Sequence, residues 1–326
     1  MRATDCHVRR HGRRSGYIGR LSRRGESQPT NNAMSHGHPY QQIGIVGTGR
    51  VASAIALALQ SHSLQPVLIW GRSLARTAAV AASIGRARAE DDLQTLARAC
   101  DLLILAVSDD ALEACIEQLA KTSDSASGFV FHVSGKSGAA LLAPLHARGW
   151  RTAAIHPAMT FTGNSQSEVE QMVGASFAVT GDSDAASEVG RAIVALLGGV
   201  PVDIGEAHRP LYHAALCHSA NHLVTLIAGA CDALAKAGAD DPAALLAPLV
   251  RAALDNALAR GMAGLSGPLL RGDVGTITGH LAAMGKDSPL LLPAYRAMAL
   301  ATLDAVKGQG HDMAILECRA VLEDGI

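Results

Sequence analysis

The chain is short of aromatic residues, of charge and of any cysteine pairing pattern, and each shortage narrows what it can be. Phe, Trp and Tyr make up 3% of its 326 residues, too few for the stacking platforms that grip single-stranded nucleic acid. The six cysteines, Cys6, Cys100, Cys115, Cys217, Cys231 and Cys318, lie far apart with no C-x-x-C pair. That spacing excludes a zinc framework and points to free thiols in a reducing, cytoplasmic setting. No run of about 18 uncharged apolar residues occurs, because the longest candidate, around Leu223 to Ala235, is broken by Asp232; no membrane span is expected. What the chain does have is apolar side chain, 48% against 17% charged. That is enough for packed cores in about two domains and too much for a disordered chain.

The net charge of −1 conceals an asymmetry. Residues 1–40 hold eight arginines against two acids, and the remainder holds 20 bases against 27 acids. Arg-rich, acid-poor segments of this kind serve as nucleic-acid arms or organelle-targeting peptides. The reading favoured here is a disordered extension upstream of Met34, since it lacks the apolar periodicity to bury a face. The acidic body argues against nucleic acid as the main partner.

The first folded segment is expected at Gln41 to Gln60. Ile43 to Val46 reads as a buried strand, Gly47-Thr48-Gly49-Arg50-Val51-Ala52 as a G-x-G-x-x-A turn, and Val51, Ile55, Ala58 and Leu59 as one helix face. Gly47 permits the tight turn, Gly49 lets backbone approach a pyrophosphate, and Ala52 lets helix pack close to strand. The helix N-terminus brings free N–H groups to the phosphates. The second strand, Pro66 to Trp70, leads into Gly71-Arg72-Ser73-Leu74-Ala75-Arg76. An NAD site wants an acid there for the ribose hydroxyls, and none is present. Arg72 and Ser73, with Arg76 one turn on, suit a 2′-phosphate, so NADP is expected.

Further apolar strands are predicted at Asp101–Val107, Gly128–Val133, Arg151–Ile155, Ala175–Thr180 and Val200–Ile204, with helices between. Such alternation implies a doubly wound α/β parallel sheet covered on both faces. Ligands of such sheets lie beyond the strand carboxyl ends, where Ala106, Val107, Ser108, Ser134 and His156 fall. From Gly205 onward only helical patterns occur: Ala207–Ala237, Pro242–Ala263, Asp273–Met284, Pro289–Val306 and His311–Leu322. The expected organisation is an extension over 1–40, a Rossmann-type domain over 41–204 and an all-α domain over 205–326.

The segments GIVGTGRVASAI, LILAVSDD, HVSGKSGA, IHPAMTF, LYHAALCHSAN and GPLLRGD, in that order and with His280 beyond, carry a resemblance. From about Gln42 to Leu322 the chain resembles Rossmann-like proteins with a DUF2520 C-terminal domain. These are similar to NADP-linked reductases of the 6-phosphogluconate dehydrogenase-like, ketopantoate reductase and pyrroline-5-carboxylate reductase type. The resemblance implies a nicotinamide nucleotide and no particular substrate.

In the better-known relatives a catalytic lysine sits near the start of the long helix. This chain has only Lys121, Lys136, Lys236, Lys286 and Lys307, none of them there. His213, or Lys136 on a strand-end loop, would have to substitute, and histidine has a suitable ordinary pKa. His213, Cys217 and Asn221 fan along one helix face, so Asn221 joins the catalytic candidates, as does His156. Ser134, Arg271 and His280 are candidate substrate contacts, Arg271 as a bidentate clamp for a carboxylate. Ser134 and Asp273 are alternatively read as caps. No metal is expected, since His218 and His222 have no acid between them and no third ligand. The function expected is an NADP(H)-dependent reductase of a small anionic carbonyl or imine compound, ketopantoate-like by analogy, working as a homodimer through the helical domain. The alternative is a nucleotide-binding sensor without catalysis, which the missing lysine favours.

Overall fold

The computed structural model describes residues 38–121, 128–306 and 312–324. Residues 1–37 of the expected extension lie outside the described residues, whereas Tyr40 already bridges Ser63 within the fold. In chain order the elements are β1 (Ile43–Val46), α1 (Arg50–Leu59), β2 (Val67–Trp70), α2 (Leu74–Ile84), β3 (Ala87–Glu90), α3 (Leu93–Ala99) and β4 (Leu102–Leu105). Then come α4 (Asp109–Ala120), β5 (Phe129–His132), α5 (Ala143–His146), β6 (Arg151–Pro157), α6 (Ser165–Met172), β7 (Ser176–Gly181), α7 (Asp184–Leu196) and β8 (Val200–Asp203). The helical part contains α8 (Arg209–Lys236), α9 (Pro242–Arg260), α10 (Pro268–Arg271), α11 (Val274–Asp287), α12 (Leu292–Ala305) and α13 (Asp312–Glu323).

The sheet order is β3-β2-β1-β4-β5-β6-β7-β8. Its central strands β1, β4 and β5 are buried along their whole length because both faces are covered. Ile43, Ile45, Leu102, Ile104, Phe129 and Phe131 enter one buried cluster, and Val46, Leu103, Leu105 and Val130 the other. Successive side chains of a strand point to opposite faces, so an uninterrupted apolar run serves two cores. Burying each such side chain contributes about 1.5–3 kcal/mol.

Two features depart from the sequence reading. β3 has no apolar run (ARAE) and is an incompletely buried edge strand paired only to β2, which is why periodicity missed it. The sheet is parallel except at one joint, where β7 runs antiparallel to β6. Between them lies α6, an eight-residue helix about 12 Å long that packs on α1.

The helical part has a small core of its own from Ile277, Leu303, Val306, Ile315, Cys318 and Leu322. Asp273 caps α11 as one reading of it expected, accepting the Thr276 N–H at 3.0 Å. By contrast α8 buries a single residue, Arg209, and α9 buries none. Leu211, Val224, Leu245, Leu249 and Leu258 are exposed along these two helices. The stretch Glu206–Lys236 is, by length and composition alone, apolar enough to cross a bilayer. It also carries His208, Arg209, His213, His218, His222 and Asp232.

Candidate functional site: a nucleotide cradle and a histidine cluster

The chain runs from β1 outward to β2 and β3 and then crosses back to β4, so connections diverge between β1 and β4. At such switch points the strand carboxyl ends leave a crevice. A cavity of about 610 Å³ opens here, lined by Gly47, Thr48, Gly49, Arg72, Ala106, Val107 and Ser108 of the expected contacts. Gly47 has φ +132°, and a Cβ there would lie 2.2 Å from the Ala106 carbonyl oxygen, so no other residue fits. A Cβ on Gly49 would meet nothing within 4 Å, which leaves that backbone open to a ligand. Gly49 and Ser108 start α1 and α4 without spending a side chain on the first-turn N–H groups.

Three expected contacts are engaged elsewhere. The Ser73 hydroxyl accepts the Arg76 N–H at 3.4 Å as the cap of α2. Val51 packs on the core, and Arg50 donates to the Phe161 carbonyl at 3.1 Å. Sequence reasoning missed Trp70, Ala111, Ala114 and Gln118 of the lining. The last three share one face of α4, at spacings of three and four. Arg72 and Arg76 both line the cavity, and Glu90, at the end of neighbouring β3, is spent on the amides of Asp91 and Asp92.

The histidine cluster forms where β5 and β6 end. His132 is fully buried, donates from Nε2 to the Gly138 carbonyl at 2.9 Å and accepts the Ser134 N–H on Nδ1 at 3.1 Å. A backbone donor on one side and a carbonyl on the other hold this ring in one neutral tautomer. Burial pushes its pKa down to about 4. His156 meets the Tyr212 hydroxyl through Nδ1 at 2.9 Å, and its ring lies 5.9 Å from that of His213, edge to face. Burial first, then the nearby His213 and Arg209, push the His156 pKa down to about 4. Both rings crowd Gly135, where a Cβ would lie 2.5 Å from His213 Cδ2 and 2.9 Å from His156 Nε2. The Ser134 hydroxyl accepts the Ser137 N–H at 3.4 Å, which is its turn-cap reading.

The other candidates are disposed differently. Lys136 is exposed and pairs with Asp109 at 3.7 Å, between the cavity-lining Ser108 and Asp110. Asn221 is exposed two turns beyond His213, and its carbonyl accepts the Thr225 hydroxyl. Arg271 is exposed at the end of α10, and His280 bonds the Tyr295 hydroxyl at 2.9 Å. Among the described residues no hydrogen bond or ring contact joins these last two to His156. Nor is there any group of three or more His, Cys, Asp or Glu side chains placed to hold a metal ion. Tyr212 and Arg209, both absent from the expected set, stand inside the cluster.

Residues 26–157 match the Rossmann-like domain, and residues 175–302 match the domain of unknown function DUF2520. Each match takes in less than half of the chain. The first match closes on the last residue of β6 and the second opens just before β7, on either side of the antiparallel joint. No curated protein matches this chain. Its fold is that of several solved structures. A candidate NADP oxidoreductase from Bacteroides fragilis is 19% identical, covers 80% of this chain and 97% of its own, and superposes with a TM-score of 0.66. A reductive aminase from Aspergillus terreus in complex with NADPH and ethyl-5-oxohexanoate is 20% identical, with coverages of 85% and 98% and a TM-score of 0.63. An imine reductase from Myxococcus stipitatus in complex with NADP+ is 19% identical, with coverages of 84% and 98% and a TM-score of 0.61.

The neutral His132 and His156 give the protein a pH signature. With His132 and His156 at about 4 in the fold and an ordinary value of 6.5, the unfolded chain binds more protons between those limits. Stability therefore falls as pH drops through that window and is fully present above it. Urea melts stepped down through the window should give a falling midpoint, with a shallower fall in His156→Asn. A midpoint that stays level or rises contradicts the assignment.

Proposed function

We propose that this protein is an NADP(H)-dependent oxidoreductase that reduces a small carbonyl or imine compound. The observation that carries the reading is the cradle at Gly47–Gly49 with Arg72 and Arg76 on its wall, followed along the strand ends by a histidine cluster. The fit to a dinucleotide is physical: an open backbone at Gly49, unspent helix N-termini for phosphates, and two guanidinium groups on the cavity wall that could pair with a 2′-phosphate. When bound, the nucleotide supplies the hydride. The chain supplies position and a proton. His213 is the proposed acid, with His156 and Tyr212 holding its surroundings, and Ser134 and Lys136 flank the substrate. The reductive aminase and imine reductase named above, both holding an NADP nucleotide, support reduction at a C=N or C=O carbon. An anionic, ketopantoate-like substrate rests more on Lys136, exposed on the loop beside Gly135, than on Arg271. Asn221 and His280 enter as outer contacts only. The proposed domains divide at about residue 204, and the unpaired Cys100, Cys115, Cys217, Cys231 and Cys318 support a cytoplasmic setting.

The exposed apolar side chains of α8 and α9 support a homodimer through the helical domain, because several large apolar residues left exposed on two helices mark an association surface. Light scattering should give twice the chain mass, and Leu249→Glu with Leu258→Glu should give the monomer. A monomeric parent protein rules the dimer out.

Cofactor choice is tested by calorimetry. NADPH should bind at least about tenfold more tightly than NADH, since a charge-assisted contact to the 2′-phosphate is worth that factor or more. Arg72→Ala should remove most of the difference and leave NADH affinity unchanged. Equal affinities in the parent protein exclude the 2′-phosphate role.

Catalysis is separated from sensing by turnover. Keto acids, aldehydes and cyclic imines offered with NADPH should include one that is reduced, with loss of at least about a hundredfold in His213→Ala, as for removal of a general acid. Tight NADPH binding without turnover of any class supports the sensor instead.

A further inference from the structure

We propose that Arg209 is a positioning residue, which holds the first turn of α8 against β6, β7 and the loop after β5 and so sets Tyr212 and His213 around His156. The proposal rests on reading that cluster as the reacting site. It adds a side chain that touches none of the reacting atoms.

Arg209 is completely buried and is the single buried residue of α8. Its Nε donates to the Thr180 hydroxyl at 2.8 Å, Nη1 to the Ser134 carbonyl at 3.4 Å, and Nη2 to the carbonyls of Ala154 and Ala178 at 2.7 and 3.1 Å. The guanidinium thus straddles the antiparallel joint of β6 and β7 and reaches the turn after β5. A planar fork of donors can bridge acceptors that diverge in this way, whereas an ammonium is a point charge. No carboxylate pairs with it among the described residues. Glu206, three residues earlier, accepts the Ala140 N–H at 3.3 Å. If pinning the helix were the whole task, an apolar side chain would do it at less desolvation cost. The cation therefore serves geometry and field. Tyr212 and His213 follow at i+3 and i+4 on the same face, and the guanidinium carbon lies 5.9 Å from the Tyr212 ring centre.

His156 is faced by Arg209, Tyr212 and His213 from α8, by His132 from β5 and by Asp109 from α4. The burial that α8 provides and the positive charge of Arg209 both favour the neutral imidazole, while Asp109 opposes them. Loss of Arg209 therefore raises the proton affinity of His156.

The test uses the full chain without nucleotide or substrate and follows its histidine rings by NMR across pH. In the parent protein the His156 ring stays neutral down to about 4. In Arg209→Met its midpoint should rise by at least about one pH unit, a tenfold gain in proton affinity. The cross-peak between the His156 and Tyr212 rings should weaken, and Arg209→Lys should restore part of both effects. NADPH affinity should be unchanged, because the cradle lies at the ends of β1, β2 and β4. A variant that melts cooperatively yet keeps the parent His156 titration and the Tyr212 contact overturns the proposal, leaving Arg209 as a stabiliser only. Should Arg209→Met fail to melt cooperatively, Thr180→Val, which removes one acceptor, carries the same readouts with a smaller shift, and an unmoved titration there overturns the proposal equally. Failure of the parent protein to bind NADPH would count against the oxidoreductase reading and not against this one.

Discussion

A guanidinium satisfied by carbonyl oxygens and a hydroxyl, with no carboxylate in ion-pair contact among the described residues, joins the helical region of this protein to its sheet. Arg209 reaches Ser134, Ala154, Ala178 and Thr180, four residues brought together only by the pairing of β5, β6 and β7. Because a buried cation must find partners or unfold its surroundings, those bonds dictate where α8 begins and which way its first turn faces. The remaining length of α8 is at most half-buried, so few other contacts compete with that placement.

The histidines follow from it. His132 is locked by its own turn, through Gly138 and Ser134, and forms a rigid floor. His156 emerges at the end of β6 and is closed over by Tyr212 and His213 only because α8 starts where Arg209 holds it. Gly135 completes the arrangement by offering no side chain at the point where both rings converge. A cluster built this way is preorganised: His132 is tied to backbone, His156 to the Tyr212 hydroxyl, and the His156 and His213 rings pack edge to face, which suits groups that must act in one geometry.

The two parts of the fold differ in how they satisfy their apolar surface. The sheet buries strands on both faces and leaves only short edges at β3 and β8. The helical part gathers α11, α12 and α13 around a few residues while α8 and α9 keep their leucines exposed. A single chain does not bury these helices, and α8 with the turn before it is the one described stretch apolar enough to satisfy a bilayer by length.

What could be read from the sequence was whatever depends on neighbours along the chain. The buried strands announced themselves as apolar runs, the cradle as glycines between strand and helix, and the cap of α11 as Asp273 before a helical pattern, because turns, caps and periodicities are local. β3 escaped because its four residues owe their strand to pairing with β2 and not to their own character. The reversal of β7 escaped because strand direction depends on the path of a connection, which composition does not encode. His156 and His213 were each visible as candidates, yet nothing local distinguished them from Asn221, Arg271 or His280, and Arg209 carried no signal at all. Bringing residues 134, 156, 180, 209 and 213 to one point required the sheet to order its strands first. The sequence by itself determined the buried strands, most of the helices and the glycine turn of the cradle; the tertiary structure decided which polar side chains share a site, since their burial and partners exist only once distant segments have paired.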